Sequence, residues 1–590
     1  MKSLLPPFAL LAAFGGFYLS QTLVPADEAR PVPYAFNPAE VRQNICGPVG
    51  TKRGTLFRPD VAHLLSNAAF ADEASDEDVP LIEGLDSRDF PISSDVALTR
   101  AYFRQGFALL YGFNHWEAIR AFKKAQELDP ECAICYWGEA YALGPNINAP
   151  MDDAANVKAV AAMERAHSLR RNANEREARL IDALRQRYSA DGHLTRSELD
   201  KKYADAMARL VETYPNDQDI ATLYAEALMD TSPWDYWERD FTTPKPHIQT
   251  AIDMIEKTLA TNPDHYGAIH LYIHLYEASS IATKAEPYAD KLAGLAPGAG
   301  HLVHMPGHIY FRIGRYLDSL ETNIKAVAVD EAYLATTSGS NLYRFGYYPH
   351  NVHFVLVSAQ MAADGAAALE YAAKLDGLIP LEVLREAAWI APIKAAPYFV
   401  YAQFASLDEV LALPDPGDDF PYIKAMWHYA RGTKLAEAGD ERVETEIAAI
   451  EALLAHEGVK NAGIPAVAIL TVARDIIEGR YLMSQGQHEE AVTLYEKAVA
   501  GQDSMGYTEP PFWYYAAEQS LGAAYYEAGR YEDAENAFKA SLVRHPNSAW
   551  SLFGLWQTQM KLGRDGEAAM TKKLLERASH NSENVPFNKL

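Results

Sequence analysis

Two short signatures near the C-terminal end return after 34 residues: Gly529-Arg530 recurs as Gly563-Arg564, and Ala534 recurs as Ala568. A fixed period of this length constrains the fold more than any single motif. Each period is one supersecondary unit that cannot bury its own apolar face, so neighbouring units must stack. Chain length leads to the same answer, because 590 residues exceed the roughly 250 to 300 at which one hydrophobic core stops growing. With 49% apolar and 11% aromatic residues the chain has ample material for a continuous core, and disorder is excluded.

Residues 520–546 carry the fullest form of the unit: Leu521-Gly522, Tyr525, Gly529, Tyr531, Ala534, Phe538 and Pro546. In these positions the segment resembles the tetratricopeptide repeat family. Small residues there let the first helix of a pair approach the second, aromatics fill the space toward the next pair, and proline stops the second helix. The same grammar recurs in Gly106, Ala118, Phe122, Ala125 and Pro130, across residues 285–297, and in Gly307 to Tyr310 with Gly314-Arg315-Tyr316 and Ala326. It returns in Gly432 with Gly439 and in Gly486 with Ala491 and Ala498. The resemblance implies an all-α superhelix of helical hairpins, an α-solenoid. It implies little about chemistry, because this scaffold hosts unrelated roles.

The expected organisation has five parts. Residues 1–26 form a signal peptide, with an apolar run over 4–19 and small residues Val24 and Ala26 before Asp27. Residues 27–95 are an irregular N-terminal segment rich in Pro, Asp and Glu. A tetratricopeptide-like array with most of the histidines spans 96–380, a helical middle array 381–480, and C-terminal repeats 481–590. No later stretch reaches the roughly 18 apolar residues of a membrane span, so a periplasmic or secreted address is expected after cleavage. A net charge of −26 argues against nucleic acid as a partner.

Chemistry enters through the 18 histidines. Seven fall close together in sequence: His270, His274, His301, His304, His308, His350 and His353. His270 and His274 are four apart, as are His304 and His308, which puts each pair on one helical face. Each pair member also stands 34 residues from its counterpart, so the two pairs occupy equivalent places in neighbouring repeats. In proteins with this repeat those places look into the concave groove. Imidazole is the commonest protein ligand for transition metals. The spacing therefore predicts a metal site of one or two ions, copper favoured, with zinc or non-haem iron also compatible. Glu277 and Met305 offer a further carboxylate and thioether, and Tyr272, Tyr276, Tyr310 and Tyr343 flank the region.

Lone histidines such as His63, His428 and His545 read as packing residues. Cys132-x-x-Cys135 lacks the strand context of a thioredoxin-type motif and suits a disulfide at a helix start, a soft ligand pair, or buried thiols; Cys46 could pair with either. Three aromatic or Pro-interrupted inserts, residues 144–148, 232–237 and 509–515, read as packing or groove walls. No phosphate loop, nucleophile elbow or zincin motif is present. Two functions follow: a copper-dependent oxidoreductase admitting a small-molecule or peptide substrate to the groove, or a non-enzymatic scaffold that binds a peptide or protein partner or stores metal.

Overall fold

The computed structural model describes residues 79–580 apart from 89, 191 and 338. The expected signal peptide, most of the irregular N-terminal segment, His63 and Cys46 lie outside the described residues. Among those described, helices follow one another in hairpins and no strand forms; only isolated bridges join Asn146 to Ala149 and Trp237 to Pro244. No helix here is long and apolar enough to cross a membrane.

Packing within the hairpins explains the periodic small residues. A methyl group on Gly106 or on Gly138 would stand 2.8 or 2.6 Å from the Phe122 ring. Phe122 is thus clasped between two successive first helices, Ala97–Tyr111 and Ala133–Ala142, from the second helix of its own pair, His115–Leu128. Phe538 repeats the arrangement, with Gly522 and Gly554 at 2.8 and 2.3 Å. Both rings are fully buried, so each is a large apolar contribution from one repeat to its neighbour.

The lead-in from residue 79 is irregular, as expected, yet it packs down: Leu85 and Phe90 join the first apolar core. That core runs from Leu85 to Ile313, and a second runs from Phe311 to Ala524. The two meet along the helix Pro306–Ile313. Residues bearing the clustered histidines sit at this seam, on the helices Tyr266–Glu277, Gly300–His304, Pro306–Ile313 and Tyr348–Met361.

Local chemistry shapes the seam. Pro306 takes a position where its missing N–H costs nothing, at the start of a helix that continues from Gly300–His304 almost without a break. Gly300 admits the buried Asp330 carboxylate to the start of that helix, since a Cβ there would lie 1.7 Å from Asp330 Oδ1. Asp330 in turn accepts from Tyr343 Oη at 2.6 Å and Asn351 Nδ2 at 2.7 Å. It so ties three elements of the seam together. Between Thr336 and Tyr348 the chain makes a wide π-type turn, Tyr343–Tyr347, that feeds directly into the helix carrying His350.

Candidate metal centre

Six of the seven predicted histidines converge, in two groups of three. The ligand nitrogens of His270, His274 and His301 lie within 4.8 Å of one another, and so do those of His304, His308 and His350. The groups are adjacent: the rings of His301 and His304 are 5.8 Å apart, and those of His274 and His308 are 6.3 Å apart. The four-residue spacing and the repeat register both appear in space. Each triad combines neighbouring units, because His301 crosses to the His270–His274 helix and His350 crosses to the His304–His308 pair.

His353 is placed elsewhere. Its Nε2 lies 2.7 Å from Tyr514 Oη, and its ring belongs to neither triad. Three residues turn His353 about 300° from His350, about 60° the other way round, so the two share a flank of the helix; His350 leans toward His308 while His353 leans onto Tyr514.

The outer nitrogens decide what the inner ones can do. Glu277 Oε1 accepts from His274 Nδ1 at 2.5 Å, and Glu277 Oε2 accepts from His308 Nδ1 at 2.6 Å. Asn323 Oδ1 accepts from His304 Nδ1 at 2.5 Å, its orientation fixed by Asn323 Nδ2 donating to the Ser319 carbonyl at 2.7 Å. A neutral imidazole carries one proton. With Nδ1 as the donor in each case, Nε2 of His274, His304 and His308 presents a lone pair. Yet the Nε2 atoms of His304 and His308 face each other at 2.7 Å, and Nε2 of His274 is buried with no hydrogen-bond partner. Nε2 of His270 and His301 meet at 3.1 Å in the other triad.

Electrostatics favours the neutral rings. Burial is the largest influence on His270, His301, His304 and His350, and with the neighbouring imidazoles it drives each well below the ordinary histidine range. Burial alone would raise the Glu277 carboxyl; His308 and His274 outweigh it and hold it well below the usual carboxylate range. Converging lone pairs, tautomers fixed from behind and one ionised carboxylate form a donor set suited to metal.

The rings are enclosed. The centroid of Phe113 lies 4.6, 5.5 and 5.3 Å from those of His270, His274 and His301, and that of Phe354 lies 4.9, 4.6 and 5.0 Å from those of His304, His308 and His350. Trp234 meets His274 edge-on and Tyr347 meets His301. Contrary to the expected open groove, His270, His274, His301, His304 and His308 are all buried, and only His350 is half-buried.

The candidate auxiliary ligands divide. Glu277 serves the outer nitrogens. Met305 is packed into the apolar core, and Cys132 and Cys135 are joined as a disulfide. Of the flanking tyrosines, Tyr272 donates to Glu256, Tyr310 to Asp290 and Tyr343 to Asp330. The tyrosines that reach the centre are Tyr347 and Tyr507. Tyr507 Oη donates to Glu277 Oε2 at 3.3 Å, and next to it burial pushes the Glu509 carboxyl up to about 7 against the pull of Arg312 and His308. All three inserts close on this region, through Asn148 beside Tyr347, Trp234 on His274 and Tyr514 on His353.

Comparison with known proteins addresses the scaffold. The tetratricopeptide repeat family matches residues 517–548, the unit in which Phe538 is clasped by two glycines. The chain contains a tetratricopeptide repeat. No curated protein matches the chain. Among solved structures, the human IFIT1 dimer with PPP-AAAA is 14% identical over 88% of this chain and 98% of that one, with a TM-score of 0.28. The APC/C hetero-tetramer Cut9–Hcn1 is 12% identical over 82% and 74%, with a TM-score of 0.28. Yeast Tom70 is 13% identical over 82% and 86%, with a TM-score of 0.20. The helical array is all-α throughout the described residues; none of these likenesses bears on its ligand.

Proposed function

We propose that this tetratricopeptide array is an exported metalloprotein holding two copper ions, one in each histidine triad, as a buried redox centre. The observation that supports this most is the pair of Nε2 atoms of His304 and His308, 2.7 Å apart, each with its Nδ1 donating to a separate acceptor. Two lone pairs directed at each other repel. A cation between imidazoles turns that repulsion into coordination, and imidazole suits copper well.

Charge favours copper in its monovalent state. Glu277 is the one carboxylate hydrogen-bonded to these rings among the described residues. Ion charge beyond its compensation must be buried among Phe113, Phe354 and Trp234, where desolvation is costly. Two monovalent ions leave the least uncompensated charge. The Cys132–Cys135 disulfide is in keeping with an oxidising compartment, as the expected signal peptide requires. Copper supplies one-electron chemistry when bound. The protein supplies imidazoles hydrogen-bonded from behind and an aromatic shell, and Tyr507, Arg312 and half-buried His350 mark the approach for a small organic substrate.

Elemental analysis of the full chain, loaded with copper and freed of loosely bound ions, tests the reading. Two copper ions per chain are expected, with a marked loss in His304→Ala. Wild type that retains no copper, zinc or iron in stoichiometric amount refutes it.

A further inference from the structure

We propose that Glu277 couples the two triads, so that the two ions load together; this rests on the two-ion reading above. The carboxylate is fully buried and divides its oxygens between the triads: Oε1 takes His274 Nδ1 and Oε2 takes His308 Nδ1. Those histidines come from different repeats and belong to different ion sites. Nothing else among the described residues hydrogen-bonds to a ring in both triads.

The coupling works through orientation. A neutral imidazole can hold its proton on either nitrogen, and only the Nδ1–H form offers Nε2 to an ion. Metal on Nε2 of His274 removes the competing form, fixes Nδ1–H on Glu277 Oε1 and thereby fixes the carboxylate plane. Oε2 is then set against His308 Nδ1, which selects the form of His308 that binds. Arg312 Nε anchors the main chain of Glu277, donating to its backbone carbonyl at 2.9 Å. The first ion therefore removes an ordering cost that the second would otherwise bear. Repulsion between two bound ions acts in the opposite direction. Joint loading in spite of it is the signature of the shared carboxylate.

Glu277 is a positioning residue, and its test is the distribution of loaded species. The full chain is titrated with Cu(I) under anaerobic conditions to one ion per chain and resolved by native mass spectrometry. Independent equal sites would leave about half the molecules with a single ion; coupling of the usual 5- to 150-fold would reduce that share to roughly a third or less. Wild type is expected in the coupled range, and Glu277→Gln, which keeps one acceptor oxygen but not two, is expected near half. Wild type near half, yet carrying two ions at saturation, overturns the coupling and leaves the copper centre standing. Wild type that takes up no Cu(I) at saturation overturns both. The wild-type distribution decides the matter even where the variant folds poorly, and a variant distribution unchanged from wild type removes Glu277 from the role.

Discussion

The Nε2 atoms of His304 and His308 face each other across 2.7 Å while the Nδ1 of each donates outward, to Asn323 in one case and to Glu277 in the other. With both rings neutral, neither has a proton left to join them. This relationship distinguishes the cluster from buried histidines that merely satisfy one another. His265, by contrast, caps a helix through Nδ1 and lies 3.4 Å from Asp219 through Nε2, and His428 pairs with Glu446.

Gly307 offers a way to disturb one triad without touching an imidazole. A Cβ at that position would stand 2.4 Å from Asn323 Nδ2, and Asn323 holds His304 from behind. Gly307→Ala is expected to reproduce Asn323→Ala, each weakening copper binding roughly 10- to 100-fold, as loss of an outer partner to a ligating histidine does. Competition against a calibrated Cu(I) chelator measures this. The two variants are expected to fall together.

His353 sets the boundary of the site. Tyr514→Phe removes the hydroxyl from His353 Nε2 and is expected to lower stability by about 1–3 kcal/mol in denaturant unfolding, the usual penalty for a buried polar group left unpaired. Copper stoichiometry is expected to stay at the wild-type value in His353→Leu. Loss of one ion in that variant would return His353 to the ligand set.

Acid sensitivity follows from buried neutral histidines. Burial lowers His115 to about 4 and His353 and His545 to about 3. In the unfolded chain each takes a proton near the ordinary value of about 6.5. Below that pH the unfolded state binds more protons than the folded state, so stability falls as pH falls, by up to about 1.4 kcal/mol per pH unit for each group. The loss begins near pH 6.5 and continues until each folded value is passed. Carboxyls raised by burial, Glu509 and Asp330 to about 7, act in the opposite sense, so the histidine share is read by difference. His115→Gln is expected to lose about 1 kcal/mol less than wild type between about pH 6.5 and 5.5 in urea unfolding of the metal-free chain.

Much of this architecture is legible in the sequence, for physical reasons. A repeat of fixed length forces equivalent positions into equivalent places, so two histidine pairs 34 residues apart had to become neighbours once the hairpins stacked. Both pairs, His301 and His350 meet as that register implies. What the register cannot reach is the set of contacts made across it. Glu277 reads from sequence as one turn beyond His274, but its bond to His308 depends on how the next hairpin docks. Asn323 is on the following helix, and Tyr507 arrives from 230 residues away. Register groups His353 with His350 through the alignment of Ala368 with Ser319 and Ala285, but residues 332–348 interrupt that register, and their π-type turn at Tyr343–Tyr347 has no periodic signature to show how each ring leans. The enclosure was hidden for a similar reason: Phe113 and Trp234 turn onto the rings from loops with left-handed backbone, a conformation such bulky residues rarely adopt.

X-ray absorption at the copper edge of the loaded full chain tests imidazole coordination of a bound ion most directly. Nitrogen neighbours at about 2.0 Å with the multiple-scattering pattern of imidazole rings, and no sulfur shell near 2.3 Å, are expected. A spectrum dominated by sulfur, or by oxygen without imidazole scattering, would contradict it.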